Sequence, residues 1–220
     1  MLIVHHLNNS RSQRVLWLLE ELGLPYEIKH YQRNARTMLA PPELKRVHPL
    51  GKSPVLTDGE ATLAETGAIV EYLVEKAGGA LRPPPGAPER LRWTYWLHFA
   101  EGTAMPPLVM RLIFSRLPER APALLRPVTR MIAARTLSDY IDPQIKTQFD
   151  YIESELAKST WFAGEDFSAA DVMMSFPLEA AGARAKALDG RPRAKAFVER
   201  CHARPAFQRA LEKGGPYAYA

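Results

Sequence analysis

Residues 8–14 of the chain, NNSRSQR, form a polar turn between a short apolar segment and a segment with helical spacing. Ser10 and Gln13 have the three-residue spacing of a capping box, which predicts that a helix begins beside Ser10. A helix N-terminus presents free backbone N–H groups and the positive end of the helix dipole. A hydroxyl at that place either caps the helix or helps to hold an anion such as a thiolate.

Two further junctions combine polar side chains with a special backbone position. Ser53 and Pro54 precede an apolar segment, where the proline either begins an edge strand or is a cis-proline that fixes a backbone able to pair with a ligand. Glu65 and Thr66 stand between a strand pattern and a helix pattern, where they either serve as ordinary first-turn residues or bind a ligand. Lys52 adds a positive charge beside the first of these junctions.

Strand and helix patterns alternate in residues 1–80. The predicted elements are strands at 2–6 and 26–31 around a helix at 11–22, an irregular stretch, a hairpin of 54–57 and 61–63, and a helix at 65–76. A helix between two strands favours a parallel, right-handed crossover, and Asp58-Gly59 is a hairpin turn signal. This part is therefore predicted to be α/β, with a β-α-β unit followed by β-β-α.

The remainder of the chain has helical patterns only. Residues 81–88, LRPPPGAP, disfavour both helix and strand and are read as a linker. The predicted helices beyond it are 88–99, 105–117, one or two helices within 122–159 broken near Pro143, 169–187, 192–204 and 205–212. We therefore predict an α/β domain at 1–80, a linker at 81–88 and an all-helical domain at 89–220.

The positive charge of the chain lies in its second part. Lys and Arg number 29 against 24 Asp and Glu, and residues 1–80 are balanced. Only Glu119 stands among six arginines, at positions 111, 116, 120, 126, 130 and 135. The segment has no interleaved aromatic residues and no nucleic-acid motif, which indicates a solvated helical face or an anion-attracting rim and no nucleic-acid partner.

Other classes of protein are disfavoured by composition. No apolar run reaches the roughly 18 residues of a membrane span, so no membrane partner is expected. Cys201 is the only cysteine, so an internal disulfide is excluded, and a reducing cytoplasm fits. The histidines form no spaced ligand set, and no metal site is predicted. Cys201 is read as a small buried or half-exposed side chain.

Taken together, the three junctions resemble the glutathione transferase superfamily over nearly the full chain. Its thioredoxin-like N-terminal domain has a Ser, Tyr or Cys after the first strand, a cis-proline before the third and a Glu-Ser/Thr pair at the third helix. Ser10, Pro54 and the pair at 65–66 match these positions. Residues 161–164 and 167–171, the latter with the pattern of a buried Ser-x-x-Asp capping box, resemble the superfamily's helical domain. The likeness is to a serine-type member, bacterial or theta-like.

The resemblance implies that glutathione is the co-substrate and that no metal is needed. Ser10 would donate a hydrogen bond to the glutathione sulfur, and Asn9 or Ser12 would share or take over that role. Asn8 belongs to the same polar cluster. Cysteine-type chemistry is excluded because residues 1–80 contain no cysteine.

The other junctions would hold the remainder of glutathione. Glu65 and Thr66 would bind the γ-glutamyl end, and the backbone of Ser53, before Pro54, would pair with the cysteinyl group. Lys52 would face the glycyl carboxylate, as would Arg14 or His48 with weaker support.

The electrophile pocket would lie between the domains, with an apolar wall that suits hydrophobic electrophiles. The candidate residues for this wall are Trp93, Tyr95, Trp96, Phe99, Met105, Met110 and Phe114. Arg111 and Arg116 suggest anionic substrates as a side hypothesis.

The first hypothesis for function is a cytoplasmic, homodimeric glutathione transferase that conjugates the glutathione thiolate to apolar electrophiles in detoxification. The second is a glutathione-dependent peroxidase or disulfide reductase that uses the same site. The third is a glutathione- or ligand-binding protein without catalysis.

Overall fold

The computed structural model describes residues 1–219. The N-terminal part contains a sheet with the strand order β2-β1-β3-β4, formed by β1 (Leu2–Leu7), β2 (Tyr26–Tyr31), β3 (Val55–Asp58) and β4 (Ala61–Ala64). β1 and β2 are parallel, whereas β3 is antiparallel to both β1 and β4. The predicted β-α-β unit and the predicted hairpin are both confirmed.

Three helices accompany the sheet: α1 (Ser12–Leu22), α2 (Leu44–Val47) and α3 (Thr66–Lys76). α1 buries Val15 and Leu18 at helical spacing and ends at Gly23, whose φ of 64° is easily adopted by glycine. α2 lies in the stretch that was predicted to be irregular. The prolines before α2 are compatible with a helix start, where backbone N–H groups have no intrahelical partner, and Leu44 is buried beneath it.

The second part of the chain is mainly helical, as predicted, from residue 88 to 214. Its helices are α4 (Pro88–Phe99), α5 (Met105–Arg120), α6 (Arg126–Thr136), α7 (Asp142–Glu155), α8 (Ala169–Ala185), α9 (Pro192–His202) and α10 (Pro205–Gly214). Among the helices of residues 1–219, none combines the length and the apolar character needed to cross a membrane. The boundaries at residues 80 and 88 stay predictions.

Two π-helical turns keep long helices continuous. Ala100–Ala104 joins α4 to α5, and Leu137–Ile141 joins α6 to α7. A proline stands two residues after the end of each turn, at Pro106 and Pro143, and a π-helical turn reroutes the backbone hydrogen bonds where a proline supplies no N–H. The break predicted near Pro143 therefore takes the form of a π-helical turn just before it.

The two parts share one hydrophobic core. Trp17 of α1 is fully buried, and its ring lies 5.2 Å from Phe207 of α10 and 5.6 Å from Phe167. α1 also packs against α8. Because α1 contacts both the sheet and the helical part, its N-terminus is held in a fixed place between them.

A buried capping box begins α8, as the sequence predicted. Ser168 is the N-cap residue, and Asp171 is fully buried. One carboxylate oxygen of Asp171 accepts the backbone N–H of Phe162 at 2.8 Å, and the other accepts the backbone N–H of Ser168 at 2.8 Å. Asp171 thus ties the loop before α8 to the helix itself.

We expect Asp171→Ala to lower the free energy of unfolding by about 3 kcal/mol, because it leaves two buried N–H groups without an acceptor. Urea denaturation followed by circular dichroism measures this change. Asp166→Ala removes an exposed carboxylate nearby and should change stability by less than about 0.5 kcal/mol. Equal effects of the two substitutions would contradict the role assigned to Asp171.

Candidate active site

The turn between β1 and α1 starts the helix differently from the sequence prediction. α1 begins at Ser12, and the Oγ of Ser10 accepts the backbone N–H of Ser12 at 3.2 Å. The predicted capping box between Ser10 and Gln13 is therefore not formed. The reason is that the side chain of Gln13 points toward α10 instead. Its side-chain oxygen lies so close to Gly214 that a Cβ added to this glycine would be only 2.7 Å from that oxygen.

A chain of hydrogen bonds runs inward from this turn. The Oγ atoms of Ser10 and Ser12 are 2.7 Å apart, and the Oγ of Ser12 is 2.9 Å from Nδ1 of His6. The Oγ of Ser12 also accepts the backbone N–H of Leu7 at 3.2 Å. Ser12 is fully buried and Ser10 is 4% exposed. Ser12 is therefore closed off from any ligand.

His6 stands at the inner end of this chain of hydrogen bonds. Burial, with a smaller effect of His30, lowers the pKa of His6 to about 4, and hydrogen bonding to the Gly214 backbone opposes that shift, so the ring is neutral at neutral pH. A neutral imidazole has one nitrogen that donates and one that accepts. Between the two serine hydroxyls, either oxygen can be the donor.

Asn9 is the half-buried corner of the same turn. Its φ of 50° lies in the left-handed region that asparagine tolerates. Its Oδ1 accepts the backbone N–H of Ala218 at 2.7 Å, which draws the C-terminal segment over the turn. Its Nδ2 has no hydrogen-bond acceptor among residues 1–219. The neighbouring Asn8 is occupied, since its Oδ1 accepts the backbone N–H of Arg33 at 2.8 Å.

A cleft of about 90 Å³ opens beside the turn. It brings together most of the residues that the sequence singled out as ligand-binding. Its lining residues are Arg11, His48, Leu50, Lys52, Ser53, Pro54, Ala64, Glu65, Thr66 and Glu101. The Ser53-Pro54 bond is cis, so that prediction is confirmed. Glu65 has a φ of 70° directly before α3.

The charges of this cleft are mixed. Arg11 and Lys52 supply positive charge, and Glu65 and Glu101 supply negative charge. A small ligand that carries both an ammonium group and carboxylates fits this pattern. Within the part of the chain that the structure describes, no three His, Cys, Asp or Glu side chains are grouped so as to hold a metal ion.

Arg14 does not line the cleft, although the sequence suggested it for a ligand carboxylate. Its side chain is 1% exposed, forms an ion pair with Glu101, and donates to the carbonyl of Met173 at 2.6 Å. The Nε of Arg11 reaches the other carboxylate oxygen of Glu101 at 3.2 Å. Arg14 is therefore a link between α1 and the helical part, and we leave it out of the ligand-binding set.

Electrostatics keep Glu101 charged in this place. Burial raises the pKa of its carboxyl, but the positive charges of Arg14 and Arg11 outweigh that effect and the pKa is lowered. Sequence analysis missed Arg11 and Glu101 as site residues. The signal in the sequence for Glu101 was that a single acidic residue directly follows the apolar and aromatic segment from Trp93 to Ala100.

The residues proposed for an electrophile wall are scattered. Trp93, Trp96 and Phe99 are buried in the core, and Tyr95 is exposed and 6.4 Å from Tyr151 on α7. Met110 and Phe114 are partly buried against the core. Met105 alone among the seven lines a separate cavity of about 240 Å³ between α5 and α8. Cys201 is fully buried, and burial raises its pKa, as expected of an unreactive core residue.

The architecture, a thioredoxin-like domain followed by an all-helical domain with the cleft at their junction, defines the class of glutathione transferases. Family models agree: that for the glutathione S-transferase N-terminal domain matches residues 1–75, and that for the C-terminal domain matches residues 117–205. A crystal structure of a glutathione S-transferase from Actinobacillus pleuropneumoniae has a TM-score of 0.77 and 30% identity, covering 99% of this chain and 94% of that one.

Characterised relatives point to the same family. Glutathione S-transferase 3 of Schizosaccharomyces pombe is 39% identical over 183 residues, which are 82% of this chain and 74% of that protein. Glutathione S-transferase 1 of Saccharomyces cerevisiae is 36% identical, covering 81% of this chain and 80% of that protein. The chain therefore belongs to the glutathione S-transferase family and is a glutathione transferase enzyme.

We expect Glu101→Gln to lower the free energy of unfolding by about 3 kcal/mol at neutral pH, because the Arg14 charge is left buried without its partner. Since the folded pKa of Glu101 is lowered, its contribution is present above the ordinary value of 4.5 and is lost as the pH falls through the folded value. The difference between wild type and variant should therefore shrink in acid. Urea denaturation at several pH values measures it.

Glu75→Gln is the matched control for this substitution, because Glu75 pairs with Arg82 and is 71% exposed. It should cost less than about 1 kcal/mol and show no such pH dependence. A Glu101→Gln protein that is as stable as this control would contradict the linking role of the pair.

Proposed function

We propose that the enzyme binds glutathione in the cleft beside α1 and conjugates its thiolate to small electrophiles. The observation that carries the proposal is the position of the cleft, whose mixed charges lie directly beside the N-terminus of α1. Glu65 and Thr66 bind the γ-glutamyl ammonium and carboxylate. Lys52 attracts the glycyl carboxylate, and the backbone of Ser53 pairs with the cysteinyl group. The sulfur then lies at the turn, beside Asn9 and Ser10.

The thiolate needs a donor at this turn. A free thiol has a pKa of about 8.5, so only about 3% is thiolate at pH 7, and a shift of about 2 units makes most of it nucleophilic. The hydroxyl of Ser10 is already hydrogen-bonded to that of Ser12 at 2.7 Å, whereas the Nδ2 of Asn9 is a donor without an acceptor among residues 1–219. We therefore assign the sulfur contact to Asn9 and a positioning role to Ser10, with the helix dipole adding to the shift.

The reaction at this site is a displacement or an addition. The thiolate attacks the electrophilic carbon, a carbon–sulfur bond forms, and in a displacement the leaving group departs with its electron pair. The thiol proton passes to solvent. The residues of the cleft orient the nucleophile, which is the main contribution that a binding site makes to such a step.

We further propose a cytoplasmic homodimer that removes reactive electrophiles. An exposed apolar face on α4 and α7 supports the dimer: Leu91 is 77% exposed, and Tyr95 and Tyr151 lie together on the same face. Large apolar side chains exposed side by side are typical of protein interfaces. The free Cys201 is compatible with a reducing compartment.

We expect Asn9→Asp and Asn9→Gly to lower kcat/KM for a chlorinated nitroaromatic acceptor at least about tenfold and to raise the pKa of the bound thiol by about one unit. Asp keeps the side-chain shape and the oxygen that accepts the Ala218 N–H, and Gly tolerates the positive φ at this position. A loss of kcat/KM in both variants is therefore due to the missing Nδ2 donor. Ultraviolet absorption of the bound thiolate against pH measures the shift.

Ser10→Ala is the comparison variant. If it raises the thiol pKa while the Asn9 variants leave it unchanged, the serine hydroxyl is the sulfur donor and our assignment is wrong. A wild type that oxidises glutathione with hydroperoxides or disulfides but forms no conjugate would instead indicate a peroxidase or reductase. Retention on immobilised glutathione without any turnover would indicate a binding protein.

We expect Leu91→Asp to convert a homodimer into a monomer, because it places a charge in an apolar interface without disturbing a buried contact. Analytical ultracentrifugation should show half the mass of wild type. Leu124→Asp, at an exposed apolar position on a distant part of the chain, is the control and should leave the mass unchanged. Identical masses for wild type and Leu91→Asp would exclude this face as the interface.

A further inference from the structure

A second cavity lies beside the proposed glutathione site, between α5 and α8. Its volume of about 240 Å³ is below the roughly 300–1,000 Å³ of sites for drug-sized ligands, so it suits a body of about one ring. Its apolar wall includes Met105, Leu108, Phe176 and Ala180. The side chains of Arg116 and Arg184 also line the cavity and form its polar rim.

The rim is strongly positive. The Arg184 guanidinium lies 4.7 Å from the ring centroid of Tyr219, and that ring lies 5.5 Å from Phe176. Burial raises the pKa of Tyr219, and the charges of Arg184, Arg33 and Arg116 oppose that rise, so all three guanidinium charges act on this hydroxyl. None of the three forms an ion pair with a carboxylate of residues 1–219.

Arg111, which the sequence suggested together with Arg116, also lines the cavity but is paired with a carboxylate. Its Nε pairs with Asp142 at 2.9 Å, and it donates to the carbonyl of Arg184 at 3.0 Å. It therefore holds α5, α7 and α8 together, and its charge is already compensated. The positive charge that stays available at the rim comes from Arg116 and Arg184, and Arg33 is near enough for its charge to act on the same Tyr219 hydroxyl.

This rim adjoins the proposed sulfur position. Arg33 donates to the backbone carbonyl of Asn8 at 3.2 Å, and the backbone N–H of Ala218, next to Tyr219, bonds to Asn9 at 2.7 Å. An electrophile in the cavity can thus present its reactive carbon to a thiolate at Asn9 while a second group faces the arginines.

We propose that the second substrate is a small electrophile that combines an apolar body with an anionic group, held by Arg33, Arg116 and Arg184. Guanidinium groups match carboxylate, sulfonate and phosphate oxygens, and within residues 1–219 no carboxylate forms an ion pair with these three arginines. The inference rests on the proposed transferase function and adds the substrate class. With a chlorinated aromatic acid, the thiolate displaces chloride, a carbon–sulfur bond replaces the carbon–chlorine bond, and the substrate's own anionic group is unchanged.

A pair of matched probes tests this inference: a chlorodinitrobenzoate and the corresponding benzamide, which share the leaving group and differ in charge. Each kcat/KM is divided by the uncatalysed rate constant with glutathione. We expect wild type to prefer the carboxylate about tenfold, and the double variant Arg116→Gln/Arg184→Gln to lose that preference. The preference should also fall with added potassium chloride, because exposed charges are screened by salt.

Arg120→Gln/Arg130→Gln is the control, since it removes the same charge from exposed positions away from the cavity. It should keep the preference of wild type. Equal normalised rates for the two probes in wild type, or the same loss in both double variants, would overturn the proposal.

Failure of the transferase function would be seen separately, as no turnover of either probe. The two glutathione conjugates, made chemically, are then compared by titration calorimetry. About tenfold tighter binding of the carboxylate conjugate to wild type, lost in Arg116→Gln/Arg184→Gln, supports the anion site without turnover. Equal affinity for both conjugates overturns it.

Discussion

The buried ion pair between Arg14 and Glu101 is the constraint on which the site depends. Arg14 belongs to α1 and Glu101 to the π-helical turn after α4, so the pair joins the two parts of the chain. Arg11 shares the same carboxylate, and Arg11 and Glu101 both line the cleft. Because a buried charge is costly without its partner, the pair fixes the distance between the turn at Asn9 and the helical part.

Beside this ion pair, hydrogen bonding gives Asn9, Ser10 and Ser12 different roles. The neutral ring of His6 is hydrogen-bonded to Ser12, and the hydroxyl of Ser12 is hydrogen-bonded to that of Ser10, so both hydroxyls have partners inside the protein. Asn9 has its oxygen engaged by Ala218 and its nitrogen without an acceptor among residues 1–219. Residue types that look equivalent in the sequence are thus distinguished by the number of donors left after internal bonds are made.

Much of the fold could be predicted because local chemistry decides it. The alternation of strand and helix, the turn at Asp58-Gly59 and the capping box at Ser168 each depend on neighbours in the sequence, whereas the cis bond before Pro54 was expected only from the family resemblance. The site was harder to predict where distant contacts decide. Gln13 turns toward Gly214 instead of capping with Ser10, and Arg14 is used by Glu101 and Met173 instead of a ligand.

The π-helical turn at Ala100–Ala104 makes the cavity between α5 and α8 sensitive to the length of the chain at this turn. Each residue of an α-helix advances the chain by about 100° around its axis, and a π-helical turn accommodates one residue more than the α-helical path needs. Loss of one residue there would leave a continuous, regular helix, yet it would rotate Met105 and Leu108 away from the cavity and move Arg116 off its rim. Insertions and deletions at this turn would therefore reshape substrate choice while the scaffold around it persists.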